Sequence, residues 1–182
     1  TKKSLGQNFL IDNNIINKII EIGNINKDKT VMEIGPGYGN LTKAIISKTP
    51  KKFFAVEKDK KLSSVLEKKF KNYKNLKIIN RDILDIIEEK NLEQNMVVFG
   101  NLPYNISTKI LASLIMLKKW PPWYDVLILM FQKEVADRIL AKAHTKEYGR
   151  LSILSNWRLE IKKHFDVSKN CFFPRPKVNS TL

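Results

Sequence analysis

Cysteine occurs once, at Cys171, so no disulfide can brace the fold and cysteine usage gives no argument for export. Histidine occurs twice, at His144 and His164, and two isolated imidazoles with one thiol make no zinc-ligand set, so no metal is expected. No apolar run approaches the roughly 20 residues that span a bilayer. The N-terminus has no signal-peptide pattern, so the expected location is the cytoplasm. There is no internal repeat and no low-complexity tract. Acidic residues are scarce: 18 Asp and Glu stand against 33 Lys and Arg, a net charge of +15. That balance fits a polyanionic partner, nucleic acid first. A/T-rich codon usage also enriches Lys, Ile and Asn, but it would raise Glu too, and the acids here have not kept pace.

What is present alternates strand and helix. Asp12 is placed to cap a helix over Asn13–Ile22, whose Ile15, Ile16, Ile19, Ile20 and Ile22 share one face, and Gly23 ends it. Strands are expected at residues 31–35, 53–57, 76–80, 96–99 and 124–131, with a weaker one at 160–165 and another from Val178 onward. Helices are expected at 41–47, 60–71, 106–117, 132–143 and 151–157, with Leu62, Val65, Leu66 and Phe70 on the inner side of the second. The order predicts an α/β fold with a mostly parallel sheet, and 182 residues suit one domain.

Glycine is sparse, with seven in all, yet three fall at 35, 37 and 39, between the first strand and the following helix. Strand, glycine turn and helix form a nucleotide-binding unit. The dinucleotide fingerprint would need Gly or Ala where Asn40 stands, and Glu33 lies inside the strand, which argues against NAD. Glu57 ends the second strand 22 residues after Gly35, near the roughly 20-residue offset of an acid that holds ribose hydroxyls. Asp82 follows the third strand and has two available roles: accepting from an adenine amine, or capping the short helix after it.

Asn101-Leu102-Pro103-Tyr104 follows the fourth strand and precedes a helix, at the strand end where open α/β sheets bind ligands. An aromatic amine is a weak nucleophile because its lone pair is delocalised into the ring. A side-chain carbonyl (Asn101) and a backbone carbonyl (Leu102) can accept from its N–H groups. Pro103 stiffens the turn, and Tyr104 offers a face for stacking a base. A polar turn with a structural proline and a half-buried tyrosine would read the same way. Near the C-terminus, Phe172-Phe173-Pro174-Arg175-Pro176-Lys177 can stack on and pair with nucleic acid, or serve as a proline-stiffened connector.

Taken together, these stretches resemble the ribosomal RNA adenine N6-dimethyltransferases, which use S-adenosylmethionine. The carriers are Gln7-Asn8-Phe9-Leu10, Glu33-Ile34-Gly35-Pro36-Gly37, Val56-Glu57, Asp82, Asn101 to Ser107, Phe131-Gln132-Lys133-Glu134-Val135-Ala136, Tyr148-Gly149-Arg150-Leu151-Ser152 and Phe172-x-Pro174-x-Pro176-Lys177-Val178. Their order and spacing across the chain carry the likeness, and the Gly-Pro-Gly, Leu102 and Tyr-Gly-Arg-Leu-Ser features are similar to the small-subunit branch. The resemblance implies a Rossmann-like methyltransferase domain over residues 1–182 with a seven-stranded sheet, its last strand truncated and the family's helical C-terminal domain absent. It implies dimethylation of two adjacent adenosines near the 3′ end of small-subunit rRNA, in immature small subunits, by a monomer. It also implies roles. Asn8 and Leu10 close over the cofactor, Gly35 lines its methionine part, Glu57 holds the ribose, Asp82 the adenine, and Asn101 borders cofactor and target. Tyr104 and Phe172 sandwich the flipped base. The readings that compete are a large-subunit enzyme of the macrolide-resistance type, a non-catalytic rRNA-binding assembly factor, and a small-molecule or DNA methyltransferase. The basic charge and the Gln-Asn-Phe-Leu and Phe-x-Pro-x-Pro-Lys segments oppose the last.

Overall fold

The computed structural model describes residues 8–89 and 91–182. Gln7, the first residue of the N-terminal motif, lies outside them. The elements run β1 (Phe9–Leu10), α1 (Asn13–Ile22), β2 (Thr30–Ile34), α2 (Asn40–Ser47), β3 (Lys52–Val56), α3 (Lys60–Lys69), β4 (Leu76–Ile79), α4 (Ile83–Ile86) and β5 (Met96–Asn101). They continue with α5 (Ser107–Ile115), β6 (Tyr124–Gln132), α6 (Lys133–Leu140), α7 (Arg150–Arg158), β7 (Asp166–Val167), β8 (Phe172–Phe173) and β9 (Ser180–Thr181). Seven strands form one sheet in the order β4-β3-β2-β5-β6-β9-β7. The first five are parallel, and β9 runs antiparallel to both β6 and β7. This is the expected mostly parallel α/β sheet.

The central strands are mostly apolar because helices cover both faces, with Glu33 of β2 the buried exception. Along β5 the side chains alternate. Val97 and Phe99 face a core with Ile16, Ile19, Ile20 and Ile45 from α1 and α2. Met96 and Val98 face a core with Ile110, Leu114 and Ile115 from α5. Asp12 caps α1, its carboxylate accepting from Asn14 and Ile15 N–H at 2.9 and 3.0 Å. Gly23 closes that helix with φ −71°, so its small size, not left-handed freedom, is what the site requires. A Cβ there would lie 2.3 Å from Phe99 Cζ.

Three expectations need correction. Residues 160–165 form no strand. A strand exists where a partner bonds it, and on this side β9, the partner here, pairs with Asp166 and Val167. Just before it, the chain is tied only at its end, by His164 N–H to the Leu182 carbonyl and Leu182 N–H to the Phe165 carbonyl. Val65 is 44% exposed, leaving Leu62, Ser63, Leu66 and Phe70 as the buried side of the α3 region. The aromatic loop at 172–173 is a strand: β8 pairs antiparallel with β1 in a two-stranded ribbon, Phe9 opposite Phe173 and Leu10 opposite Phe172.

Candidate active site

The strand order reverses direction between β2 and β5, since the chain proceeds outward from β2 through β3 and β4 and then returns to its other side. That crevice, at the carboxyl ends of the strands, is where such sheets bind ligands. Ile34 pairs with Gly100, which sets Gly35 beside Asn101. The resulting pocket is lined by Asn8 and Phe9 from the N-terminal arm, Gly35 and Gly37 after β2, Glu57 after β3, Asp82 after β4, and Asn101 to Ile106 after β5.

The glycine turn is left-handed, with φ +70° at Gly35 and +60° at Gly37. Phe9 lies against it: a Cβ on Gly37 would be 2.5 Å from the Phe9 ring. Phe9 also meets Tyr38 edge-on at 4.6 Å. Asn40, which departs from the dinucleotide fingerprint, donates from Nδ2 to the Leu10 carbonyl at 2.8 Å. It ties the arm to the start of α2.

Glu57 is 4% exposed. Its Oε2 accepts from Gly37 N–H at 3.1 Å and its Oε1 from Asp59 N–H at 2.8 Å. Burial pushes its carboxyl above the ordinary range, and the two N–H donors oppose that. Asn80 holds the same turn by donating to the Glu57 carbonyl at 2.9 Å. Asp82 takes the capping role, Oδ1 accepting from Leu84 N–H at 3.0 Å at the start of α4, while Oδ2 takes the Lys58 ammonium at 2.7 Å and the residue lines the pocket. Burial opposes its ionisation, but Lys58 and the Leu84 N–H outweigh burial and hold its carboxyl below the usual range. Beneath the pocket, Glu33 is 2% exposed and accepts from the Thr42 hydroxyl at 2.6 Å. Burial pushes its carboxyl up to about 8, against the Thr42 bond and with a small push from Glu57.

Asn101 ends β5, and its Nδ2 donates to the Asn8 main-chain carbonyl at 2.7 Å. Leu102 turns inward, 1% exposed, over Gly100, where a Cβ would lie 2.8 Å from Leu102 Cδ2. The Pro103 carbonyl accepts from Ile106 N–H at 3.1 Å and starts α5. Tyr104 is half-buried, its hydroxyl 2.8 Å from Ser180 Oγ. Burial raises its phenol, and the Ser180 bond works the other way.

Two expected site residues lie elsewhere. Leu10 and Phe172 are 5% and 2% exposed and belong to the α1–α2 core, not to the pocket lining. Their pairing in the β1–β8 ribbon turns both side chains inward and leaves Phe173 67% exposed. Phe172 therefore presents no open face to a base, and Leu10 meets the start of α2 through its carbonyl, which accepts from Asn40. Asn40, Asn80 and Ser180 were not foreseen. Asn40 was marked only by its mismatch to the dinucleotide fingerprint, and nothing local marked Asn80 or Ser180.

The residues fit S-adenosylmethionine. Each Glu57 oxygen takes one backbone N–H and keeps acceptor capacity for hydroxyl donors. Asp82 is an ionised acceptor at the pocket wall for an amine, and the glycines let a bulky ligand approach the backbone. Among solved structures, a dimethyladenosine transferase from Plasmodium falciparum superposes with TM-score 0.82 at 32% identity, over 95% of this chain and 61% of that one. The 23S rRNA methyltransferase ErmE superposes with TM-score 0.78 at 28% identity, over 96% of this chain and 67% of its own. The fold is that of an S-adenosylmethionine-dependent methyltransferase. A family model for ribosomal RNA adenine dimethylase matches residues 1–182. Two relatives called ribosomal RNA small subunit methyltransferase A cover the whole chain: that of Pelagibacter ubique is 53% identical and that of Nitrobacter winogradskyi 44%. This chain spans 68% and 64% of their lengths, about two thirds. The chain belongs to the ribosomal RNA adenine dimethylase family.

Proposed function

We propose that this chain is the catalytic part of an enzyme that dimethylates the N6 amines of two adjacent adenosines near the 3′ end of small-subunit rRNA. It acts as a monomer on immature small subunits. The family membership and the names of the relatives support this reading, and the Asn101 amide carries it chemically. With Nδ2 bonded to the Asn8 carbonyl, Oδ1 is the end of the amide left to accept. The family's task needs an acceptor here, because a hydrogen bond from the target amine localises the lone pair that must attack. Leu102 offers its carbonyl as the second acceptor. Pro103 restricts the turn that presents it, and Tyr104 supplies the ring face on which the flipped base stacks. Bound S-adenosylmethionine supplies the electrophilic methyl group. Glu57 takes its ribose hydroxyls, Asp82 its adenine amine, and Gly35 lets its methionine part lie against the backbone. Asn8 and Phe9 cover the pocket and exclude water. Positioning supplies most of the rate. Phe173, exposed opposite Phe9, and the basic residues Arg175 and Lys177 face the rRNA backbone and its unstacked bases.

The test is methyl transfer from labelled cofactor to small subunits that lack the modification, with the nucleosides resolved by mass spectrometry. Dimethyladenosine at two adjacent positions is expected. Subunit binding without any transfer would refute the reading and favour an assembly factor, and transfer confined to large-subunit RNA would move the substrate.

A further inference from the structure

Tyr104 sits on the loop after β5, and its ring is long enough to swing about its Cα–Cβ bond. One polar contact holds its far end: the hydroxyl lies 2.8 Å from Ser180 Oγ. Ser180 is fully buried, at 0% exposure. It belongs to β9, which is clamped on both sides: Ser180 pairs with Gln132 of β6 and with Val167 of β7. The next residue, Thr181, donates its hydroxyl to Asp166 at 2.7 Å, and Asp166 takes the Lys163 ammonium at 2.9 Å. The serine is thus a fixed point, and the tyrosine is tethered to it across 76 residues of sequence.

We infer that Ser180 is a positioning residue for the proposed methyl transfer: its hydroxyl pins the phenol end of Tyr104 and so sets the ring plane on which the target adenine stacks. The inference rests on the proposed function, but the tether itself does not. Without the serine hydroxyl the phenol keeps its half-buried setting and loses its partner, and the ring explores other rotamers. A base stacked on a wandering face reaches the attacking geometry less often, so turnover suffers, while Gly35, Glu57 and Asp82, the pocket residues given to the cofactor, make no contact with Ser180 and keep their places.

Ser180→Ala is expected to lower kcat roughly fivefold, the worth of one hydrogen bond expressed in turnover, with cofactor Kd unchanged. Ser180→Thr keeps the hydroxyl and should restore most of the rate. Tyr104→Phe should lose the same factor, and the double variant Ser180→Ala, Tyr104→Phe should be no slower than either single one, because both remove one bond. A second readout is independent of turnover. With 13C-tyrosine incorporated, the ring resonances of Tyr104, assigned by their loss in Tyr104→Phe, should shift in Ser180→Ala and return in Ser180→Thr. Multiplying losses in the double variant, or unmoved Tyr104 resonances in Ser180→Ala, would overturn the inference. If wild-type protein transfers no methyl group yet the resonances respond as described, the tether stands and the proposed function fails.

Discussion

Glu33→Gln should abolish a large pH dependence of stability. Glu33 lies inside β2, 2% exposed, with the Thr42 hydroxyl as its hydrogen-bond donor. Its carboxyl is pushed from the ordinary 4.5 up to about 8. The folded state therefore binds the Glu33 proton more tightly than the unfolded state does. Between pH 4.5 and 8 the unfolded chain has released this proton while the folded one retains it. Stability must then fall as pH rises through that window, by up to about 1.4 kcal/mol per pH unit. The contribution is fully present below pH 4.5 and is lost by about pH 8, an accumulated change on the order of 5 kcal/mol. That is a large part of a typical domain's 5–15 kcal/mol. The glutamine variant is isosteric, keeps an oxygen for Thr42 and cannot ionise. Urea unfolding followed by tryptophan fluorescence at half-unit steps from pH 5 to 8.5 would give the wild-type-minus-variant difference, in which the groups not coupled to Glu33 cancel. A slope approaching 1.4 kcal/mol per unit with negative sign is expected. Parallel profiles for the two proteins would refute the assignment of a neutral buried acid.

Asn101→Ala should reduce methyl transfer on the order of 100-fold or more while leaving cofactor binding measurable by calorimetry, since the acceptor it removes matters most when the amine attacks. Phe172→Ala should cost about 3–5 kcal/mol in a denaturant titration as a core truncation, whereas Phe173→Ala should leave stability within about 0.5 kcal/mol and weaken rRNA binding in a filter assay. Gly37→Ala should lower stability by about 1–3 kcal/mol, because φ is +60° and the new methyl would press on the Phe9 ring; thermal unfolding reads it directly.

The long elements were legible because they are periodic. The strands at β2, β3, β5 and β6 and the helices between them carry largely apolar runs or one-sided faces, and the loop chemistry at Asn101 to Tyr104 follows from its place at a strand end. The two-residue strands were not legible. A Phe-Phe dipeptide has no period, so nothing local says which ring turns inward; the pairing of Phe172 with Leu10, made across the whole chain, decides it. The same pairing withdrew Leu10 from the pocket. Residues 160–165 were the weaker strand candidate, with only Ile161 and Phe165 apolar, and their pairing depends on how far β9 runs beside them. Asp82 had two local readings, and the structure gives it a cap, an ion pair and a pocket wall at once.

The loop that holds Asn101 and Tyr104 is fastened to two segments far from it in sequence: to Asn8 across 93 residues and to Ser180 across 76. Such contacts form late, after the loops they close have been made compact. A folding chain can complete β2, β3 and β5 with their helices and still have no oriented amide and no pinned ring. By the same reasoning, local opening at Asn8 or at β9 would extinguish the site while the central strands stay protected from hydrogen exchange. Competence for chemistry is thus the final event of folding in this domain and the first to be lost.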